Sequence, residues 1–180
     1  MKILGGELQS RSLKAPKGDV TRPTTSLVRK ALFDIIQSII EDADVLDLFS
    51  GSGAIGIEAL SRGARHATFI EKDKNALRCL NDNISVFKLE KRTTLITGDV
   101  FKHLSKLKKP FTLIVADPPY KDDVLPKLLS IIEDNNLLAP SGFLFLEAPF
   151  PSTLPPTRLT LLKSRRYGKT VLHELTKTNI

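Results

Sequence analysis

The sequence predicts an α/β fold: a seven-stranded sheet with helices on both faces, its last two strands an antiparallel hairpin, with a small hairpin extension at the N-terminus. Three observations lead there. Short apolar runs fit for buried strands alternate with segments of helical spacing between residues 24 and 147, the pattern of a wound parallel sheet. The first such run, Val45-Leu46-Asp47-Leu48, breaks into the small-residue loop Phe49-Ser50-Gly51-Ser52-Gly53 and continues into helix-compatible sequence. Near the C-terminus, a connection holding Pro149, Pro151, Pro155 and Pro156 leads to two β-like runs, residues 159–163 and 170–175, around Arg165-Arg166-Tyr167-Gly168. They leave no room for a crossover helix, so they must pair antiparallel.

In chain order, residues 1–17 hold short extended pieces around Gly5-Gly6 and Gln9-Ser10, a small hairpin. Residues 20–24 are a linker. A helix begins near residues 24–26, where Thr24, Thr25 or Ser26 can supply the N-cap hydroxyl. Leu27, Val28, Ala31, Leu32, Ile35, Ile36 and Ile39 recur at helical spacing and predict one buried face, with Arg29 and Lys30 on the opposite, wet face. Gly63 reads as a helix C-cap and residues 66–71 as the second strand. Asp73 caps a helix whose core face is Ala76, Leu77, Leu80, Ile84 and Phe87. Residues 93–97 form a third strand, a short helix runs through Phe101, Leu104 and Leu107, and residues 111–116 form a fourth strand. Val124, Leu125, Leu128, Leu129 and Ile132 are again helical in spacing, and residues 143–147 give the fifth strand.

The 180 residues fit one globular domain, divided into a basic extension, 1–23, and a body, 24–180. With 41% hydrophobic and 26% charged residues the composition is that of a soluble protein. No apolar run approaches the ~20 residues of a membrane helix, and residues 1–12 lack a signal peptide's apolar region. Cys79 is the only cysteine, so no internal disulfide can form; a reducing, cytoplasmic setting is expected. The three histidines are far apart without cysteine partners, so no metal site is expected. The net charge of +7 is concentrated at the ends: residues 1–30 carry seven Lys/Arg against two acids, and residues 151–180 carry six against one. Basic ends on a near-neutral body suggest a polyanionic partner, although solvated faces serving solubility would give the same count.

Gly51, Gly53 and Gly56 have the spacing G-x-G-x-x-G after a strand and before a helix, a Rossmann-like nucleoside-cofactor loop in which missing Cβ atoms let a ligand lie against backbone amides. Glu71 ends the next apolar run, placed to grip ribose hydroxyls. A nicotinamide dinucleotide would suit this spacing too. Asp47 separates the two, since a pyrophosphate gains nothing from another negative charge. A carboxylate at the strand end suits a cofactor with a cationic end, such as the ammonium of S-adenosylmethionine.

Asp117-Pro118-Pro119-Tyr120 follows the fourth strand, at the carboxyl edge where wound sheets bind ligands. Prolines stiffen the turn and leave its carbonyls free to accept. Acceptors from the Asp117 carboxylate and the Pro118 carbonyl would hold both hydrogens of an exocyclic nucleobase amine and turn its lone pair toward an electrophilic methyl. Tyr120 offers a face for the base to stack on.

On these residues the chain resembles the bacterial 16S rRNA guanine-N2 methyltransferase family of class I S-adenosylmethionine-dependent enzymes. The resemblance runs nearly end to end, through Ile3–Gly6, Arg22-Pro23-Thr24 with residues 28–33, residues 45–53, 58–64, Gly98-Asp99, Asp117–Tyr120, residues 138–140 and Arg165–Gly168. It implies that Asp47 with Phe49, Ser50, Gly51, Ser52 and Gly53 holds the methionine end of the cofactor. Glu71 with Lys72 would take the ribose, and Asp99 with Val100 the adenine. Asp117, Pro118, Pro119 and Tyr120 would receive the target guanine. RNA would be gripped by Arg11, Lys14, Lys17, Arg22, Arg165, Arg166 and Tyr167. The implied partner is rRNA in the small ribosomal subunit or an assembly intermediate, and a cytoplasmic monomer without metal is expected. Gln9-Ser10-Arg11 stands where the family often has Lys-Gly-Arg, and Lys169 where an acid is common. The rival readings are a DNA adenine-N6 methyltransferase with the same Asp-Pro-Pro-Tyr chemistry, a nicotinamide oxidoreductase, and a non-catalytic RNA-binding module.

Overall fold

Seven strands form one sheet in the order β3-β2-β1-β4-β5-β7-β6. In this computed structural model residues 1–16, 26–119 and 123–177 are described. The elements run α1 (Ser26–Ile35), β1 (Asp44–Leu48), α2 (Ala54–Ser61), β2 (His66–Glu71), α3 (Lys74–Val86), β3 (Thr93–Thr97), α4 (Val100–Leu104), β4 (Phe111–Ala116), α5 (Val124–Asp134), β5 (Leu138–Pro149), β6 (Thr160–Tyr167) and β7 (Thr170–Thr176). Strands β1 to β5 are mutually parallel, while β7 runs antiparallel between β5 and β6. No described helix is long and apolar enough to cross a membrane.

Alternation along the strands divides the core in two. Val45, Phe69, Leu113, Val115 and Phe145 pack with residues of α1, α2 and α3 on one face. Leu46, Leu48, Ile70, Ile114 and Leu146 pack with α4 and α5 on the other. All five residues of β1 are buried, as a central parallel strand covered on both faces requires. The predicted caps are present: the Asp73 carboxylate accepts from the amides of Asn75 and Ala76 at 2.9 and 2.8 Å, and Gly63 follows α2 at φ 102°.

The structure corrects the face of α1, the place of Arg29 and the limits of β5 and β6. In α1 the buried residues are Val28, Arg29, Leu32 and Phe33, whereas Leu27 is 60% exposed; the buried face is rotated from the one the apolar spacing predicted. Arg29 is not on a wet face because residues 1–16 cover it: its Nη2 donates to the Lys2 carbonyl at 2.6 Å. The expected N-terminal hairpin is present as a short antiparallel pairing centred on the Lys2–Ser12 bridge, with the Ile3 amide donating to the Arg11 carbonyl and the Leu13 amide to the Met1 carbonyl, and it sinks Ile3, Leu8 and Leu13 into the α1–α3 core. Strand β6 takes in Arg165, Arg166 and Tyr167, because Tyr167 pairs with Thr170 and leaves only Gly168-Lys169 as the turn, with Gly168 at φ 61°. Strand β5 likewise starts earlier than residue 143. Thr24 and Thr25 lie outside the described residues.

Candidate functional site

The chain turns sharply as it leaves β1, with Phe49, Gly51 and Gly53 at φ 58°, 56° and 78°. A positive φ at a phenylalanine is strained and persists only where its surroundings impose it. The Ser50 hydroxyl donates to the Asp47 carbonyl at 2.5 Å and accepts from the Ile70 amide at 3.2 Å, fastening the loop to β2. The glycines differ in purpose. A Cβ on Gly51 would meet nothing within 4 Å, one on Gly53 would strike Leu80 Cδ1 at 2.3 Å, and one on Gly56 would strike Phe69 Cε1 at 2.3 Å. Gly53 and Gly56 therefore serve close helix–sheet packing, and Gly51 alone leaves open space beside the loop.

Gly56 has a second consequence. With no side chain in the way, its amide donates to Asp47 Oδ2 at 2.9 Å. Asp47 is only 2% exposed. Burial pushes its carboxyl up to about 8, the Gly56 amide pulling it back and the charges of Glu71 and Asp117 pushing it further. Glu71 Oε2 accepts from the Gly51 amide at 2.8 Å, while Oε1 accepts from the amides of Lys72 and Asp73 at 2.7 and 2.8 Å. Its remaining acceptor capacity is small. Lys72 is exposed beside it.

Past β3, Asp99 caps α4 by accepting from the Lys102 amide at 3.2 Å, and Val100 is buried. Phe101 meets Phe49 edge to face at 6.3 Å between centroids. Past β4, Asp117 is half-buried, Pro118 buried and Pro119 exposed. Pro118 and Pro119 line a cleft of about 320 Å³ with Pro126, Glu147, Pro149 and Pro151 among its other walls. Tyr120 lies outside the described residues.

The structure thus gathers Asp47, residues 49–53, Glu71, Asp99 and Asp117 at the carboxyl edge of β1 to β4, where the sheet order reverses direction. The basic residues divide into two groups at opposite ends of the sheet. Arg11 stacks on Phe87 at 4.7 Å and Lys14 pairs with Asp82 at 2.9 Å, both beside α3. At the other end Arg165 pairs with Glu174, Arg166 lies 3.7 Å from the centroid of Phe150, and Tyr167 packs on the core. Lys17 and Arg22 lie outside the described residues. Two contributions to the site carry no sequence pattern of their own, the Gly56 amide on Asp47 and the Phe101 ring on Phe49.

This sheet order, with its reversed β7 and its glycine loop after β1, defines the chain as a class I methyltransferase fold. The profile of the family described as conserved hypothetical protein 95 matches residues 1–176. Ribosomal RNA small subunit methyltransferase D of Escherichia coli K12 is 34% identical over 171 residues, 94% of this chain and 86% of that one. YlbH of Bacillus subtilis is 37% identical over 175 residues, covering 94% and 95%. The solved structure of yhhF from Escherichia coli superposes with a TM-score of 0.90 at 31% identity and 99% coverage of both chains. The chain belongs to the conserved hypothetical protein 95 family, that of the small subunit methyltransferase D proteins.

Proposed function

We propose that this protein transfers a methyl group from S-adenosylmethionine to the exocyclic N2 amine of one guanine in small-subunit rRNA. Asp47 carries the reading. A buried carboxylate that no cationic side chain among the described residues holds ionised suits a ligand that brings its own cation. The ammonium of the methionine end meets that need, directly or through water. Glu71 would hold a ribose hydroxyl with what acceptor capacity its amide bonds leave, and Asp99 with Val100 would border the adenine, beside Phe49 and Phe101. The cofactor, when bound, supplies a methyl made electrophilic by its sulfonium.

At the adjoining turn, the Asp117 carboxylate and the Pro118 carbonyl would accept the two amine hydrogens. The nitrogen lone pair would thereby be turned toward the methyl. As the N–C bond forms, the sulfonium S–C bond breaks and S-adenosylhomocysteine leaves. The positive charge growing on nitrogen would meet a negative partner until the surplus proton passes through that hydrogen bond to water. Tyr120 would stack on the base. The family's named rRNA methyltransferase supports rRNA as substrate, and the basic groups at both ends of the sheet suit a backbone spanning the site. The protein would act as a cytoplasmic monomer.

The test is incubation of the purified protein with tritiated S-adenosylmethionine and small-subunit rRNA, free and in particles, followed by nucleoside analysis. N2-methylguanosine at one position is expected. N6-methyladenosine in DNA would favour the rival enzyme, and tight cofactor binding with no transfer to any nucleic acid would favour a binding module.

A further inference from the structure

The cleft at the carboxyl end of β5 adjoins the Pro118-Pro119 turn, but Asp117 is not among its walls. It opens on the side of the sheet that α5 covers. Leu146 packs with α5 on that side, and alternation turns the wall residue Ala148 the same way. Glu147 is the only ionisable residue along the cleft, and alternation sends its side chain, like that of Phe145, toward the α1–α3 core. The described side chains that face the cleft are therefore uncharged. Six prolines wall it, Pro118, Pro119, Pro126, Pro149, Pro151 and Pro155, and they offer flat apolar rings without a backbone N–H. Hydroxyls come only from Ser152 and Thr153, and the volume of about 320 Å³ is that of a small-molecule site. A cation stands at the mouth. Phe150 lies between the wall residues Pro149 and Pro151 and is 44% exposed. The Arg166 guanidinium covers its ring at 3.7 Å, fixed there as Nε donates to the Gly168 carbonyl at 2.9 Å.

Resting on the reading above, we propose that the cleft seats the base of a nucleotide next to the target guanine in the rRNA, with Arg166 on that nucleotide's phosphate. Extruding the target guanine breaks its stacking on both neighbours, so a neighbouring base gains from a new surface. The proline rings supply one, and stacking of this kind asks for no hydrogen-bond pattern on the base. Uncharged walls suit the base and exclude the phosphate, which stays at the mouth where the guanidinium meets it. Asp117 runs directly into Pro118, a wall of the cleft, so the two seats adjoin as consecutive nucleotides require.

The test uses the full chain and small-subunit rRNA with an abasic nucleotide on one side or the other of the mapped target guanine, introduced by ligation of a synthetic segment. The kcat/KM of methyl transfer is compared with that on intact rRNA. Wild type should lose about tenfold or more with one of the two abasic RNAs. Ser152→Trp, which fills the cleft, should lose a similar factor on intact rRNA, keep its S-adenosylhomocysteine affinity, and suffer no further loss from that abasic site. Wild-type rates unaffected by either abasic site would overturn the proposal. So would an abasic penalty that Ser152→Trp keeps in full, since it would then belong to the RNA alone. A Ser152→Trp loss confined to assembled particles, with free rRNA unaffected, would give the cleft to a protein partner and overturn it too. Should Ser152→Trp fail to bind S-adenosylhomocysteine, Thr153→Trp, from an exposed wall position, decides on the same readings. A wild type that makes no N2-methylguanosine in unmodified rRNA defeats the proposed function itself, a separate outcome.

Discussion

Asp44 and Asp47 open and close one buried strand, and their surroundings drive them in opposite directions. Burial raises the Asp44 carboxyl, but hydrogen bonds and charge from Lys109 and Arg65 outweigh it and hold the group below the usual carboxylate range. Lys109 Nζ lies 2.6 Å from Oδ2, and Arg65 closes on the same carboxylate. Asp47 receives only the Gly56 amide, and burial with two neighbouring acids pushes it up to about 8. The amino end of β1 is balanced within the chain, whereas at the carboxyl end the proposed function has the cofactor's ammonium supply the balancing charge. The same contrast extends along the sheet, where the amino edge serves stability and the carboxyl edge gathers the acids of the candidate site.

Substitutions at the two ends of the strand should have separable effects. The largest effect is expected from Asp117→Ala, which should lower turnover by about 10²–10³ through loss of one transition-state partner, with S-adenosylhomocysteine affinity nearly unchanged by calorimetry. Asp44→Asn should do the reverse. It should cost on the order of 1 kcal/mol in denaturant unfolding, since both cations are about 60% exposed and regain water, while cofactor affinity holds. Arg166→Ala should reduce the salt slope of rRNA binding by about 0.7–0.9 if that guanidinium meets a phosphate; an unchanged slope would leave it a partner of Phe150 alone. The smallest effect belongs to Ser10, held at φ 67° where the family often has glycine. Ser10→Gly should raise stability by about 0.5–1 kcal/mol, read from the thermal midpoint.

The elements of the sheet were legible because parallel strands buried on both faces leave continuous apolar runs, and β4 begins and ends where its run does. The glycine loop and the Asp117 turn were legible because few residue types tolerate those backbones. The face of α1 was not. Apolar spacing cannot show that residues 1–16 lie over Arg29, whose guanidinium burial pushes its pKa down. Long-range contacts such as Asn83 Nδ2 to the carbonyls of Lys14 and Ser52, each at 3.0 Å, leave no local pattern. The purposes of Gly53 and Gly56 were misassigned for a similar reason, since their neighbours Leu80 and Phe69 come from other elements.

Affinity for S-adenosylhomocysteine across pH tests directly whether Asp47 holds a ligand cation. With a native carboxyl pKa of about 8 against about 3.9 in the unfolded chain, the folded protein retains a proton that the unfolded chain loses. Asp47's contribution to stability is therefore fully present below about pH 4 and is lost as pH rises through about 8. A ligand ammonium favours the ionised form, so binding near pH 7 must expel a proton. Affinity should accordingly rise from pH 6 toward pH 8, by up to about tenfold per pH unit, with Asp47→Asn binding more weakly and with a flat profile. A wild-type affinity independent of pH over that range, matched by Asp47→Asn, would mean that Asp47 holds no ligand cation.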